Sequence, residues 1–223
     1  MSDALEQVAF DIETTGFTVD DEVTVIGFGF EMGTRVFLHG AGESEAELEA
    51  QVREQSGHSV NLSTHPSEEA LLIAVGEFGH SRLTRGELLL VAFNGERWKS
   101  GFDLPFLRTR LAKNDVDWPF SDLPYADLLP VLEHRFNTVS GDGESRTDLV
   151  GVSETLLDGT WSQLDPFADS AEAVTAFESG AYVDLLLHNL ADVRRTLELG
   201  RLTQRYCSKS DYDLKSLTPT VEG

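Results

Sequence analysis

Four acidic residues from three separated stretches are the groups in this chain best placed to do chemistry. Asp11 and Glu13 lie in Phe10-Asp11-Ile12-Glu13-Thr14-Thr15-Gly16, directly after the apolar run Val8-Ala9-Phe10. Asp103 sits in Phe102-Asp103-Leu104-Pro105-Phe106-Leu107, and Asp192 closes His188-Asn189-Leu190-Ala191-Asp192. Side chains alternate along a strand with period two, so Asp11 and Glu13 share a face. Adjacent carboxylates repel, and burying them costs free energy unless a cation neutralises them. The pair therefore reads as a divalent-metal site. The competing reading is a strand end with its acids in solvent; the large apolar flanks and the Thr14-Thr15-Gly16 that follows favour ligation. Gly16 permits a tight turn that brings backbone amides near whatever the acids bind.

Asp103 has two readings. Ahead of Leu104-Pro105 it is a good helix N-cap. Asn94-Gly95, at the end of an apolar run, instead makes a cleft wall there, and Gly101 allows close backbone approach. Arg97, Trp98 and Lys99 in the same loop read either as phosphate contact and base stacking or as a solvated loop with Trp98 as a lid. Asp184, His188 and Asp192 recur at i, i+4 and i+8 along one helix face. That stripe is either a solvated polar face or a histidine that holds a water beside a metal-bound carboxylate. Leu185-Leu186-Leu187 and Val193 leave few other residues for the buried side, and Tyr182 reads as core.

The elements that position these groups can be traced from their patterns. Residues 6–13 form a first strand ending at the acidic pair; 23–30 and 35–39 form two more, with connections short enough for an antiparallel meander. Residues 43–55 predict an acidic-faced helix, 56–66 a polar loop, and Ser67-Glu68-Glu69 the start of a helix towards His80. The continuous apolar run 87–93 predicts a buried strand. A helix over 103–113 and a short strand at 124–127 follow. Leu128 to Arg135, a polar flexible stretch at 137–147 and a helix near 150–157 come next. Asp165-Pro166 and Asp169-Ser170 mark a loop and a helix start. A long helix from about 181 to 199 is stopped by Gly200. The sum is one α/β domain over 1–203 with a mixed five-stranded sheet, a three-strand antiparallel meander plus parallel strands, flanked by helices. A polar, loosely ordered tail covers 204–223.

Length and composition agree with one large domain, since 223 residues at 40% hydrophobic supply a real core. No apolar stretch reaches the roughly 18 residues of a membrane span. The first residues lack the basic and apolar regions of a signal peptide, and Cys207 is alone, which excludes an internal disulfide or a cysteine-built zinc site. A cytoplasmic location is the expectation. Seventeen basic residues, only four of them lysine, stand against thirty-nine acidic ones, for a net charge of −22. Such a surface repels nucleic acid in dilute salt. Near 1 M salt the screening length falls to about 3 Å and the repulsion largely vanishes. The composition resembles that of proteins from salt-accumulating halophilic archaea; the alternative is an ordinary acidic protein with a small-molecule or protein partner.

Taken in order, Phe-Asp-Ile-Glu-Thr-Thr-Gly, Asn-Gly … Phe-Asp-Leu-Pro-Phe-Leu and His-Asn-x-x-Asp-Val resemble the three motifs of the DEDD superfamily of 3′–5′ exonucleases, which have a ribonuclease H-like fold. The motifs span residues 10–193. Within that superfamily the chain is similar to a prokaryotic ribonuclease H-like group in which His-Asn or Tyr-Asn precedes the last Asp. The resemblance implies that Asp11, Glu13, Asp103 and Asp192 hold two Mg²⁺ or Mn²⁺ ions about 3.5–4 Å apart. It also implies that His188 is the general base or orients the water, a task for which an ordinary imidazole pKa of about 6.5 is suited. Thr14, Thr15 and Asn94 become contacts to the terminal nucleotide of a single-stranded DNA or RNA 3′ end, with no membrane involved. His188 stands four residues before Asp192, the spacing at which the family's tyrosine subgroup has its tyrosine. Structure-specific or RNA-trimming cleavage on the same fold, and a non-catalytic scaffold, are the rival functions.

Overall fold

The computed structural model describes residues 5–221 apart from 41, 43, 84–86, 97–101 and 158. Arg97, Trp98, Lys99 and Gly101 therefore lie outside the described residues. The described strands are β1 (Glu6–Thr14), β2 (Val23–Phe30), β3 (Gly33–His39), β4 (Val60–His65), β5 (Leu88–Ala92), β6 (Pro124–Asp127) and β7 (Lys215–Ser216). The α-helices are α1 (Glu45–Ser56), α2 (Glu68–Phe78), α3 (Asp103–Lys113), α4 (Leu128–Arg135), α5 (Leu149–Leu156), α6 (Glu172–Ser179) and α7 (Tyr182–Tyr206). The strands form one mixed sheet in the order β4-β3-β2-β1-β5-β6-β7. β1 to β3 are the expected antiparallel meander, and β5 and β6 continue parallel to β1.

The sheet has seven strands rather than the five read from the sequence. β4 falls inside the segment 56–66 that reads as a polar loop. It lies at the sheet edge, parallel to β3, and only Val60 and Leu62 are buried, so most of its residues are polar. Side chains of α1 meet its outer edge: Glu49 accepts from Leu62 N–H at 2.8 Å, Glu45 accepts from Thr64 N–H at 3.1 Å, and Arg53 Nε donates to the Val60 carbonyl at 2.7 Å. These contacts cover an edge that would otherwise pair with another chain. β7 belongs to the stretch read as a loose tail, yet it pairs antiparallel with β6. Trp118 Nε1 fastens the same segment by donating to the Leu217 carbonyl at 2.9 Å.

Helices cover both faces of the sheet. Val8, Phe10 and Ile12 on one face of β1 pack in a cluster with Leu71, Leu72 and Val75 of α2 and Leu104, Leu107 and Leu111 of α3. Ala9, on the opposite face, packs with Val193, Leu197 and Leu199 of α7. Asp11 and Glu13 share the parity of Ala9, so they point to the side that α7 crosses. Two glycines of β2 let α7 come that close. A Cβ on Gly27, which pairs with Asp11, would lie 2.2 Å from Asn189 Oδ1, and one on Gly29 would lie 2.6 Å from Val193 Cγ1. The same logic corrects the expected end of α7. Gly200 does not stop the helix, which continues to Tyr206; it is small because a Cβ there would lie 2.2 Å from Gln7 Oε1 of β1.

Candidate active site

β1 runs past its parallel partner, since its register with β5 covers only Glu6 to Ala9. Beyond Ala9 its backbone is open on that side, and the N-terminus of α3 fills the gap. Asp103 is the first residue of α3 and receives backbone hydrogen bonds from its own N–H and from Ile12. It is not the N-cap: Phe102 occupies that position, without a side-chain cap. The N-cap reading is therefore not what is found, and Asp103 is a buried residue of the helix's first turn. Gly95 backs it, since a Cβ there would stand 3.0 Å from Asp103 Oδ2 and 3.3 Å from the buried hydroxyl of Tyr125, which has no hydrogen-bond partner among the described residues.

α7 delivers the third stretch. Asn189, fully buried, donates its Nδ2 to Asp11 Oδ2 at 2.8 Å. His188 points Nε2 toward Glu13 Oε1 at 3.8 Å and Asp192 Oδ2 at 3.9 Å. The four acids thus lie close enough for their charges to act on one another. Burial, then the charges of Glu13, Asp103 and Asp192, raise the Asp11 carboxyl well above its ordinary range. Burial raises Glu13 to about 8 and Asp103 to about 7. Burial also raises Asp192, against the opposing charges of His188 and Arg195.

Such a set of buried oxygen donors, crowded enough to disfavour its own ionised form, suits a hard divalent cation. Asp165, His188 and Asp192 also bring potential ligand atoms within 4.8 Å of one another. There the positive charge is already supplied, because Arg195 NH1 donates to both Asp165 and Asp192.

Burial lowers the affinity of His188 for a proton, but its hydrogen bond to Asp165 and the charges of Glu13, Asp192 and Asp165 prevail and raise its pKa to about 9. This corrects the expectation of an ordinary imidazole near 6.5: beside unneutralised carboxylates, His188 is an imidazolium at neutral pH. Thr14 and Thr15 hold the turn after β1 together. The Thr14 hydroxyl donates to the Gly16 carbonyl at 2.8 Å, and the Thr15 hydroxyl accepts from Glu22 N–H at 2.9 Å. Asn94 has a left-handed φ of 58° and donates its N–H to Asp127 Oδ1 at 2.8 Å. Asp184 is exposed and is absent from this cluster. Reading the sequence alone missed Asn189, Asp165 and Arg195. The i, i+3 spacing of Asp192 and Arg195 was the available signal for the last of them.

A sequence model of the family described as the RNase H superfamily, RNase_H_2, matches residues 8–204, and the chain belongs to that family. Among curated proteins none matches the chain. The family points to nuclease-type hydrolysis of nucleic acid, a chemistry that generally uses divalent metals. No helix among the described residues is long and apolar enough to cross a membrane.

The protonation pattern predicts a pH-dependent response to metal. The folded chain holds protons on Glu13 and Asp103 up to about 8 and 7, above their ordinary 4.5 and 3.8. Over that window the folded state binds more protons than the unfolded one, so stability falls as pH rises. His188 acts in the same direction: its contribution is full below its ordinary 6.5 and is lost as pH rises through about 9. A divalent cation favours the ionised acids and reverses the loss. In thermal melts, Mg²⁺ or Mn²⁺ should therefore raise Tm more at about pH 8 than at about pH 5. At a hundredfold excess over Kd one site contributes about 2.7 kcal/mol, which is roughly 5–10 °C for a chain of this size. Equal metal-induced shifts at the two pH values would refute the assignment.

Proposed function

We propose that this protein is a metal-dependent 3′–5′ exonuclease acting on single-stranded nucleic-acid ends. The observation that carries the reading is the approach of Asp11, Glu13, Asp103 and Asp192 to one another in a partly buried cluster with His188 at its edge. These four acids would hold two Mg²⁺ or Mn²⁺ ions, which when bound polarise the scissile phosphate and lower the pKa of a bound water. Asn189 fixes the orientation of Asp11 through its amide. His188 offers Nε2 to the water on the side of Glu13 and Asp192. It can take a proton at neutral pH only once positive charge balances those carboxylates, because they hold it as imidazolium. Thr14 and Thr15 shape the turn beside the acids, so their backbone, together with Asn94, is assigned to the terminal nucleotide. We assign the activity to the domain over 1–203, and a cytoplasm rich in salt to a surface of net charge −22.

The test uses 5′-labelled single-stranded DNA and RNA in molar KCl with Mg²⁺, Mn²⁺ or EDTA. A metal-dependent ladder shortened from the 3′ end is the expected product. Internal cuts would move the reading to an endonuclease on the same fold, and no cleavage under any metal would favour a binding or scaffold role. In the same assay His188→Ala should lose about 10²–10⁴-fold in rate, the usual range for a general base. Unchanged rates in both His188→Ala and His188→Tyr would remove this residue from the mechanism.

A further inference from the structure

The loop between α5 and α6 brings in a carboxylate that the four-acid cluster does not need. Asp165 is half-buried as a residue, but its side chain is only 5% exposed. Both of its oxygens are engaged. Oδ1 accepts from His188 Nδ1 at 2.8 Å and from Phe167 N–H at 3.1 Å, while Oδ2 accepts from Arg195 NH1 at 2.7 Å. With both ends held the carboxylate cannot rotate away from the imidazole. Arg195, 1% exposed at its side chain, gives the same NH1 to Asp192 Oδ1, one helical turn beyond His188. The ring of Phe167 stands 5.1 Å from the imidazole, tilted by 52°, and limits its swing from another side.

A carboxylate accepts only, so the imidazole nitrogen facing Asp165 carries hydrogen. In the neutral ring that leaves the lone pair on Nε2, which is the nitrogen directed at Glu13 and Asp192. A third group that orients a base in this way fixes both its tautomer and its aim.

We propose that Asp165 is a positioning residue for His188, holding Nδ1–H so that the Nε2 lone pair faces the water site, with Arg195 tying Asp165 to Asp192. This rests on the reading of His188 as the residue that handles the attacking water. It also gives the Asp165, His188 and Asp192 group a use other than metal binding. His188 Nδ1 and the Asp165 oxygens are occupied by each other, by Phe167 N–H and by a guanidinium.

Asp165→Asn tests it with little change of shape. The amide can turn its NH₂ toward Nδ1, which moves the imidazole proton to Nε2 and presents an N–H to the water in place of a lone pair. With saturating Mn²⁺, kcat should fall roughly 10–100-fold, with KM changed by less than about twofold. In a His188→Ala background the same substitution should cost almost nothing more, because Asp165 acts through the missing ring. Asp165→Asn at the wild-type kcat overturns the proposal, as does the full loss recurring in His188→Ala. Nitrogen-15 spectra of histidine-labelled protein in alkaline buffer supply a readout that needs no activity. The resonances missing from His188→Ala should report Nδ1–H in the wild type and Nε2–H in Asp165→Ala. The same tautomer in both proteins overturns the proposal. If the wild-type chain cleaves nothing, the nuclease reading fails separately, and the tautomer alone decides for or against Asp165.

Discussion

Asp11→Asn should remove cleavage and, in EDTA, make the protein more stable. The two effects have one cause. Burial plus the charges of Glu13, Asp103 and Asp192 all oppose the ionisation of Asp11. Asparagine keeps the shape and can still accept from Asn189, so the contact at 2.8 Å survives while the negative charge does not. Without a cation, one repelling charge fewer should raise the melting point in EDTA at about pH 8 by a few degrees, the equivalent of about 1 kcal/mol. With a cation the balance inverts. A lost anionic ligand weakens charge stabilisation at the reacting phosphate, and a loss of at least about 10²–10³ in kcat is expected. The Tm rise on adding Mn²⁺ should shrink as well. A variant that is less stable than wild type in EDTA, or that cleaves at the wild-type rate, contradicts an anionic cluster built for metal.

How much of this was legible in the sequence depends on which physical signal each residue carried. β1 and its acids were legible because an apolar strand ending in Asp11-x-Glu13 departs from the usual pattern of burial. α3 was legible because Leu104-Pro105 marks a helix start, and its range of Asp103–Lys113 is the expected one. β4 was not, because an edge strand buries one face, and Asn61, Ser63, Thr64 and His65 look like loop. Gly200 misled because glycine serves both as a helix stop and as a point of close approach, and only the position of Gln7 distinguishes them. Asp165 was illegible for another reason. Its partners His188 and Arg195 are 23 and 30 residues away in sequence, and Asp-Pro in isolation is an ordinary turn. Pairwise side-chain contacts over such separations leave no periodicity to read. The four acids could be seen in the sequence as types, whereas the groups that contact them and His188 could be seen only in space.

The largest loss of stability is expected at Glu68, away from the acids but beneath the turn that follows them. Glu68 and Arg110 form a two-point ion pair, Nε to Oε1 at 2.8 Å and NH2 to Oε2 at 2.6 Å, with side chains 5% and 8% exposed. The same carboxylate accepts from Val23 N–H at 2.8 Å and from Asn114 Nδ2 at 3.2 Å. Arg110 passes the restraint on, donating NH1 to the Val19 carbonyl at 3.0 Å, where Lys113 also donates at 2.8 Å. α2, α3, the start of β2 and the 14–22 turn are thereby fastened through one carboxylate. Glu68→Ala leaves a buried guanidinium and the Val23 N–H without their acceptor. Breaking a buried pair from one side costs about 3–5 kcal/mol, or roughly 6–20 °C in Tm for a chain of this size. Glu68→Gln should be milder, because one oxygen can still serve Val23 while its NH₂ opposes Arg110. Adding Arg110→Met to Glu68→Ala should recover part of the loss, since the stranded charge goes, but not the contribution of Val23, worth about 1–3 kcal/mol. The order expected in thermal melts is wild type, then Glu68→Gln, then the double variant, then Glu68→Ala. A double variant no more stable than Glu68→Ala would show that the carboxylate acts mainly through the backbone of β2 and not through Arg110.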